Sequence, residues 1–566
     1  MGQQGRPVEG KGGQRVIIHL NGYQQEFDKP RTLGDILHKM LGGQADEVLA
    51  CFRAGEVLEL NNVVEESAAL TPITYRDEEG KRIFERSLRF VLLMAAKELY
   101  PDYKLRIEHS IGQGVYIEME GRRLTPADVA SLEGMMWDLI EKDLPFVRTR
   151  WSREEAISYF VSQDEMDKAN LLSYRPYNFF DIYTCGGLSE YFYGAMLPST
   201  GMLKAFALRA RAPGLVLLLP DKDNPDKASD YISLPKHMAV FAQSNYWCKV
   251  LRCATAAELN NLVAHHKLRD FIRVNEAFHS KTLSEIAEDI VNRGARAVFI
   301  AGPSSSGKTT FANRLSIHLR VSGMEPVILS MDDFYRNRDE LPLEADGQPD
   351  LEALSALDVP FLRECINSLL SGRETAMPRF DFTTQRRAQE PVMMKIGPNS
   401  PLIIEGIHGL NPALHEQVDS RLICRIYISQ LTTINLDRHN RIRTTDARLL
   451  RRIIRDYQFR NTPPMRTLEM WDSVRRGEEK WIFPYQENAD IVFNSALHYE
   501  LSILKNFSDA ILHQVPTDSP HYIKVNRLLK IMNYLLPASP EVYDEIPPLS
   551  ILREFIGGNT LYREQQ

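Results

Sequence analysis

Residues 302–310 have the side-chain types and the spacing of a phosphate-binding loop. They read GPSSSGKTT, follow a short apolar run at 297–300 and precede a stretch with helical periodicity at 311–319. Glycines let successive backbone N–H groups turn toward phosphate oxygens, and the N-terminus of the following helix adds partial positive charge. We therefore predict a nucleotide-phosphate site in a strand–loop–helix setting. Its expected binding residues are Gly302, Ser304, Ser305, Ser306, Gly307, Lys308, Thr309 and Thr310.

The cofactors expected at this loop are ATP and Mg²⁺. Lys308 would supply a mobile positive charge for the β- and γ-phosphates, and the Thr309 hydroxyl is placed to ligate Mg²⁺. Glu405 closes the apolar run 402–404, and an acid at the end of a buried strand beside such a loop is typical of a metal- or water-holding group. We expect Glu405 on the metal side, with a helix-capping role as the alternative.

Asp332 is the expected catalytic base. It follows the apolar run 326–329, and the ends of parallel strands gather at the ligand crevice. Transfer of a phosphoryl group to an alcohol requires removal of the hydroxyl proton, a task that suits a carboxylate. The alternative is that Asp332 and Asp333 form a solvated turn or an N-cap pair.

The arginine-rich segment 438–460 is a second expected source of catalytic charge. Within it Arg448, Arg452 and Arg455 recur at helical spacing and should share one face. A mobile arginine lid neutralises charge on the transferring phosphoryl oxygens and excludes water. The alternatives are an exposed basic helix and an RNA-binding face.

Length and composition indicate what must position these residues. The chain has 566 residues, a net charge of −7 and a pI near 6.1, so it is a multidomain protein that does not coat nucleic acid as a whole. Its six cysteines include no C-x-x-C pair, which favours a reducing compartment. No apolar run approaches the roughly 20 residues that span a bilayer. We expect a cytoplasmic protein without a membrane partner.

The order of patterns along the chain predicts a multidomain α/β and α+β fold. A hairpin signal, a helix with Thr32 as N-cap and two further strands indicate a β-grasp-like domain, and alternation of strands and helices after residue 294 indicates a parallel sheet. The predicted parts are a disordered tail at 1–13, a β-grasp domain at 14–75, an α+β domain at 76–263, a helical connector at 264–293, a P-loop α/β domain at 294–500 and a helical extension at 501–566.

Residues 297–497 resemble the uridine kinase and phosphoribulokinase branch of the P-loop kinases. The resemblance is carried by GPSSSGKTT, LSMDDFY (329–335), PRFDFTTQRR (378–387), LIIEGIHGL (402–410), RRIIRDYQFR (451–460) and NADIVFNSAL (488–497). It implies that Asp332 is the general base and Glu405 the Mg²⁺-side acid. It also implies that the lid arginines are Arg452, Arg455 and Arg460, the last of them beside the nucleotide.

The same resemblance indicates an acceptor site. Tyr335 matches an aromatic residue beside the nucleoside, and Asp350 or Glu352 would hold the ribose hydroxyls. Uridine kinases usually have Tyr-Asp-Phe here, with a base-reading His five positions past the Tyr. In this chain the Tyr position holds Phe380 and the His position holds Gln385. An amide can still hydrogen-bond to a base edge, but because both residues differ, another nucleoside remains an alternative. Arg387 of the same motif completes the expected substrate residues.

The N-terminal half resembles a different family. Residues 14–75 look like a TGS domain, and 88–120 look like the second additional domain of threonyl-tRNA synthetase. The editing site of that domain binds zinc through three His and one Cys, and the matching positions here are Arg86, Phe90, Cys185 and Ser189. Since three of four ligands are replaced, zinc-dependent editing is not expected. A binding module that contacts RNA remains an option.

Together these patterns predict an ATP-dependent nucleoside kinase, similar to uridine kinase, that phosphorylates a 5′-hydroxyl. One alternative is a kinase of the same fold that acts on another small hydroxyl compound, such as a sugar phosphate. The other is an ATP-switched, RNA-associated binding protein with little transfer activity. The sequence leaves the acceptor and the oligomeric state open.

Overall fold

The computed structural model describes residues 15–341, 343, 350–381, 384–432 and 434–561. The tail predicted to be disordered, 1–13, lies outside these residues. The chain divides into two units: unit 1 contains the residues up to Ile232 with Asp437–Arg441 and Val515–Lys530, and unit 2 contains Ser233–Leu436, Ile442–Gln514 and the residues from Ile531 onward. The domain limits predicted from the sequence stay predictions.

The strands are β1 (Val16–Leu20), β2 (Tyr23–Phe27), β3 (Arg31–Thr32), β4 (Val48–Arg53), β5 (Glu56–Glu59), β6 (Val63–Val64), β7 (Ala68–Thr74), β8 (Leu105–Ile111), β9 (Gly114–Met119), β10 (Val147–Ser152), β11 (Phe179–Cys185), β12 (Leu188–Glu190), β13 (Ala207–Arg211), β14 (Gly214–Leu218), β15 (Ala297–Ala301), β16 (Val327–Ser330), β17 (Thr375–Met377), β18 (Phe380–Asp381), β19 (Arg386–Arg387), β20 (Val392–Met394), β21 (Leu402–Glu405), β22 (Ile423–Ser429) and β23 (Ile491–Asn494).

The α-helices are α1 (Leu33–Leu41), α2 (Glu78–Leu99), α3 (Pro126–Glu141), α4 (Arg153–Ser162), α5 (Met166–Ser173), α6 (Pro235–Leu251), α7 (Ala256–Ala264), α8 (Leu268–Asn292), α9 (Lys308–Val321), α10 (Val359–Leu370), α11 (Thr444–Phe459), α12 (Pro464–Trp481), α13 (Glu500–Leu512), α14 (Tyr522–Met532) and α15 (Arg553–Ile556). None of the helices in the described ranges is long and apolar enough to cross a membrane.

Unit 1 begins with a five-stranded sheet of order β2-β1-β7-β4-β5. Strand β1 pairs antiparallel with β2 and parallel with β7, and α1 follows in the chain. The helix starts as predicted, because the Thr32 hydroxyl accepts the Asp35 N–H at 3.2 Å and satisfies a free donor of the first turn. The more specific TGS assignment stays a prediction.

The rest of unit 1 packs around helix α2, which is buried at every position from Arg82 to Ala96. Apolar residues of α2 form one core with the four-stranded sheet β13-β14-β9-β8. The charged residues of α2 are tolerated there because they are paired, as in the 3.8 Å contact between Arg89 and Glu85. A third sheet, β10-β11-β12, completes this unit.

Unit 2 is built on a parallel sheet of order β16-β21-β15-β22-β23. The parallel sheet predicted for the C-terminal part is therefore confirmed. Strands β15 and β21 are buried at every position, as expected of parallel strands covered on both faces. The register pairs Glu405 with both Ile300 and Ser330. Three strand ends thus meet at one edge of the sheet, next to the phosphate-binding loop.

Candidate active site

The loop at 302–310, after β15, forms a phosphate-sized cradle whose backbone requires glycine at two positions. A Cβ at position 302 would lie 2.1 Å from the Ile428 carbonyl oxygen, and Gly307 has a φ of 86°. The Ser305 and Ser306 hydroxyls are buried and have no hydrogen-bond partner within the described structure. Since an unpaired buried hydroxyl is costly, the cradle fits a ligand with acceptor oxygens, such as a polyphosphate.

Lys308 stands at the start of α9 and faces the carboxylates of the crevice. Its ammonium lies 3.4 Å from the Pro303 carbonyl oxygen. Its charge acts against the rise in the pKa of Asp332, Glu352 and Glu405, which places all three acids within its electrostatic reach. Lys308 therefore interacts with Asp332 and Glu405, and the roles expected of these residues stay predictions.

Glu405 lies at the end of β21 between two hydroxyls. Thr309 Oγ1 is 3.5 Å and Ser330 Oγ is 3.2 Å from Glu405 Oε1. Burial raises the pKa of Glu405 to about 7, the charge of Asp332 adds to the rise, and Lys308 opposes it. Hydroxyl and carboxylate oxygens are the ligands that Mg²⁺ prefers, so Thr309 and Glu405 fit that ion. The helix-capping alternative for Glu405 does not describe this position, which is the last residue of a buried strand.

Asp332 follows β16 in a short 3₁₀ turn. Its backbone N–H donates to Ser330 Oγ at 3.3 Å, and its side chain is accessible from the crevice. Desolvation by the surrounding protein raises the pKa of this carboxyl; Lys308 opposes the rise and the neighbouring Asp333 adds to it. The two acids are not an equivalent pair, because Asp333 Oδ1 accepts the Phe380 N–H at 3.2 Å. Asp332 is the one left available for an acceptor.

The arginines of α11 point into the loop. Arg448 Nε donates to the Ser304 carbonyl at 2.9 Å, and Arg452 Nη1 donates to the Ser304 hydroxyl at 2.9 Å. Arg448 and Arg455 are buried. The exposed basic helix considered as an alternative is therefore wrong for this face. Arg460 is different, since its side chain is 59% exposed and lies 3.8 Å from Asp456.

Three acids that the sequence did not single out organise these arginines. Glu478 on α12 pairs with Arg448 and also accepts the Ser304 N–H at 3.3 Å. Asp456 contacts Arg452 at 3.3 Å and Arg455 at 2.9 Å. Glu554, far along the chain, is the third. The spacing of Arg452 and Asp456 was a visible i,i+4 pair, whereas nothing local marked Glu478 or Glu554.

The predicted acceptor residues divide into two groups. Tyr335 and Phe380 lie with ring centroids 5.7 Å apart, and Glu352 interacts electrostatically with Asp332 and Arg452. Asp350 is used locally, because its Oδ1 accepts the Glu352 N–H at 3.1 Å. These four residues line one region with Asp332.

Arg387 and Gln385 belong to the second group. Arg387 donates to the carbonyls of Tyr335 and Phe334 and contacts Asp358 at 3.2 Å. Its guanidinium therefore braces the loop from within the protein. Gln385 is exposed and has a φ of 55°, between β18 and β19. A role for either side chain in base recognition stays a prediction.

Glu352 gives the site a testable pH dependence. Burial raises the pKa of Glu352 from 4.5 to about 7, while Arg452 opposes and Glu478 adds to the rise. Between pH 4.5 and about 7 the folded protein retains a proton on Glu352 that the unfolded chain releases. The free energy of unfolding therefore falls as pH rises through this range. We expect Glu352→Gln, which is neutral at every pH, to match the wild-type Tm near about pH 4 and to exceed it near about pH 8.

The measurement is the Tm of both proteins across that pH range at constant ionic strength. Glu364→Gln, a substitution of an exposed glutamate on α10, is the matched control. A Tm difference between Glu352→Gln and wild type that does not change with pH would contradict the expectation.

The four positions that match the zinc-editing motif have other roles in unit 1. Arg86 donates to the Ala195 carbonyl, and Phe90 packs edge-on against Phe146 with centroids 5.3 Å apart. Ser189 Oγ lies 2.8 Å from Thr184 Oγ1. Burial raises the pKa of Cys185 to about 11, which keeps it a thiol, whereas zinc binds the thiolate. This set of side chains does not fit a zinc site.

Comparison with known proteins supports both resemblances. Residues 297–502 match the model of the Phosphoribulokinase / Uridine kinase family. The N-terminal half is similar to threonine–tRNA ligases: 34% identity over 198 residues to that of Desulforamulus reducens, and 33% over 195 residues to that of Methylobacillus flagellatus. These matches cover 35% and 34% of this chain and 31% of each ligase. The chain thus spans about a third of the length of these relatives.

Solved structures also overlap with part of the chain. One, described as a possible uridine kinase from Bacillus stearothermophilus, is 19% identical, with 40% of this chain and 100% of that chain covered and a TM-score of 0.26. Another is D-glycerate 3-kinase from Cryptococcus neoformans, 15% identical, with 36% and 89% covered and a TM-score of 0.29.

Proposed function

We propose that this protein is an ATP-dependent phosphotransferase that uses Mg²⁺ and phosphorylates a hydroxyl of a small uncharged compound, most simply the 5′-hydroxyl of a nucleoside. The observation that carries the proposal is the grouping of Lys308, Asp332 and Glu405 at one edge of the parallel sheet. The match of residues 297–502 to a family of small-molecule kinases supports it. A cytoplasmic location is part of the same proposal.

Each residue has a distinct task in this reaction. The cradle and Lys308 hold the phosphates of ATP, and Thr309 with Glu405 would hold Mg²⁺, which neutralises phosphate charge when bound. Asp332 takes the proton of the acceptor hydroxyl as its oxygen bonds to the γ-phosphorus, and the bond from that phosphorus to the β,γ-bridging oxygen breaks, so that ADP leaves. Arg452 and Arg455 neutralise charge on the transferring group. No side chain forms a covalent intermediate.

The charges around Asp332 favour an uncharged acceptor over a sugar phosphate. The charge of Asp333 raises the pKa of Asp332, and the charge of Asp332 raises the pKa of Glu352, so negative charge accumulates in this region. A phosphorylated acceptor would bring further negative charge to these acids. Of the arginines in the substrate motif, Arg387 is already bonded to Asp358, and Arg379 acts on the charge of Asp333. The rings of Tyr335 and Phe380 offer an apolar face that suits a nucleobase.

The experiment is ADP release by the full chain with ATP, Mg²⁺ and a panel of acceptors. The panel contains purine and pyrimidine nucleosides, free sugars and sugar phosphates. We expect a nucleoside to stimulate ADP release, with the product phosphorylated at the 5′ position by mass spectrometry and NMR. Stimulation by a sugar phosphate alone would contradict the uncharged-acceptor proposal and favour the alternative of a kinase of the same fold that acts on a sugar phosphate.

A second candidate function rests on the similarity of the N-terminal half to threonine–tRNA ligases. An ATP-switched, RNA-associated protein would turn over ATP without stimulation by any small acceptor. It would also bind tRNA with an affinity that falls steeply as salt rises, because phosphate contacts release counterions. Titration of labelled tRNA at several salt concentrations, alongside the acceptor panel, separates this function from a kinase.

A further inference from the structure

The C-terminal segment 550–556 packs against the phosphate-binding loop and the arginine helix of unit 2. Ile551 is fully buried, and its Cγ2 lies 2.6 Å from where a Cβ at position 307 would be. Phe555 lies under the guanidinium of Arg451, with Cζ 4.9 Å from the ring centroid. We call residues 550–556 the C-terminal brace. It belongs to none of the kinase motifs identified in the sequence, and it lies beyond the residues that match the family model.

One carboxylate of the C-terminal brace joins the two elements that handle phosphate. Thr310 Oγ1, in the first turn of α9, donates to Glu554 Oε2 at 2.7 Å. Arg455 Nη1, on α11, lies 3.7 Å from Glu554 Oε1. Glu554 is only 8% exposed. A buried charge is costly unless it is paired. Glu554 is therefore held by Thr310 and Arg455, and it restrains both of those side chains in turn.

The arginines near Glu554 repel one another. The charge of Arg455 is the largest cause that lowers the pKa of Arg460, and it also acts against the charged form of Arg452. Asp456 contacts all three guanidinium groups, so one negative charge is shared among three positive ones. Glu554 adds a second negative charge on the side of Arg455, and that pair fixes one guanidinium relative to the cradle.

We infer that Glu554 is a positioning residue: it holds Arg455 and Thr310 in the arrangement that binds the phosphates of ATP. This inference rests on the proposed function for the identity of the ligand. The C-terminal brace then contributes to nucleotide binding and not only to the stability of the fold.

The test uses Glu554→Gln in the full chain. Glutamine keeps the size and an oxygen for Thr310 but removes the charge that pairs with Arg455. We expect the affinity for a fluorescent ATP analogue with Mg²⁺, and kcat/KM for ATP, to fall about tenfold to a hundredfold. Glu541→Gln, a carboxylate near the same end of the chain with an 80% exposed side chain, is the control and should leave both unchanged.

A double-mutant cycle separates positioning from a structural role. If Glu554 acts through Arg455, then Glu554→Gln combined with Arg455→Gln should bind the analogue no more weakly than Arg455→Gln alone. Losses that simply multiply would overturn the inference. So would a Glu554→Gln protein with a lower Tm but wild-type affinity and kcat/KM.

Two further outcomes keep the inference and the proposed function distinct. If Glu554→Gln does not fold, Glu554→Asp keeps the charge but shortens its reach, and wild-type affinity in that variant would overturn the inference. If the wild type binds the analogue, Glu554→Gln binds it more weakly, and no acceptor is turned over, the inference stands and the proposed transfer reaction fails. A wild-type protein that binds no nucleotide would overturn both.

Discussion

Replacement of Asp332 by Asn is expected to lower kcat for phosphoryl transfer about 10²- to 10⁴-fold, the range that general acid–base catalysis contributes. Asparagine has nearly the same shape but cannot take the proton of the acceptor hydroxyl. ATP binding should stay close to wild type, because the cradle donors and Lys308 are unchanged. The measurements are kcat with the best acceptor of the panel and the affinity for a fluorescent ATP analogue.

Asp333→Asn is the matched control for this substitution. The neighbouring carboxylate accepts the backbone N–H of Phe380, and the amide oxygen of asparagine can accept the same bond. We expect a change of less than about threefold in kcat, since a retained hydrogen bond leaves the loop in place. Transfer by Asp332→Asn at the wild-type rate would show that Asp332 is not the base.

Lys308→Ala is expected to lower kcat/KM for ATP about 10²- to 10³-fold, the effect typical of removing one preorganised group that stabilises developing charge. It removes the full positive charge that stands opposite Asp332, Glu352 and Glu405. Unlike Asp332→Asn, this substitution should also weaken binding of the ATP analogue. The reason is that the Lys308 ammonium acts on the bound phosphates as well as on the transition state.

The control for this variant is Lys395→Ala, in the same unit, at an exposed position. Both proteins should be compared for Tm, analogue affinity and kcat/KM. Without Lys308 the crevice contains mostly acids, which repel the phosphates of ATP. The affinity for the analogue and kcat/KM for ATP should therefore fall together. An unchanged affinity and kcat/KM in Lys308→Ala would mean that the loop at 302–310 does not hold the nucleotide.

The pH dependence expected of Glu352 and the loss expected of Glu554→Gln concern different parts of the same site. Glu352 lies on the acceptor side, where burial raises its pKa. Glu554 lies behind the loop, where it is paired with Arg455. The two positions are linked through the arginines of α11, because Glu352 and Arg455 both act on the charge of Arg452.

The sequence alone determined the phosphate-binding loop and the strands that lead to it. Gly302 and Gly307 are required by local geometry: one faces the Ile428 carbonyl at a distance that excludes a side chain, and the other has a positive φ. Lys308 and Thr309 follow within a few residues, so their position relative to the loop is set by the start of α9. Asp332 and Glu405 were also found, because each ends an apolar strand and parallel strands end at the same edge.

Only the tertiary structure decided how the arginines are used. The segment 438–460 was treated as one basic stretch, yet Arg438 and Arg441 belong to unit 1, whereas Arg448, Arg452 and Arg455 belong to unit 2. In unit 1 the short segment 437–441 is held by buried ionic contacts such as the 2.7 Å pair of His439 with Glu190. Charge spacing along a helix shows which residues share a face, but not which acids meet them.

The same limit explains why Glu478 and Glu554 were missed. Both carboxylates are buried against arginines of α11, but they come from parts of the chain 30 and 99 residues away from their partners Arg448 and Arg455. A loop motif is visible in the sequence because its backbone conformation depends on neighbouring residues. The pairing of buried charges depends on which helices and strands pack together, and no local sequence pattern predicts that.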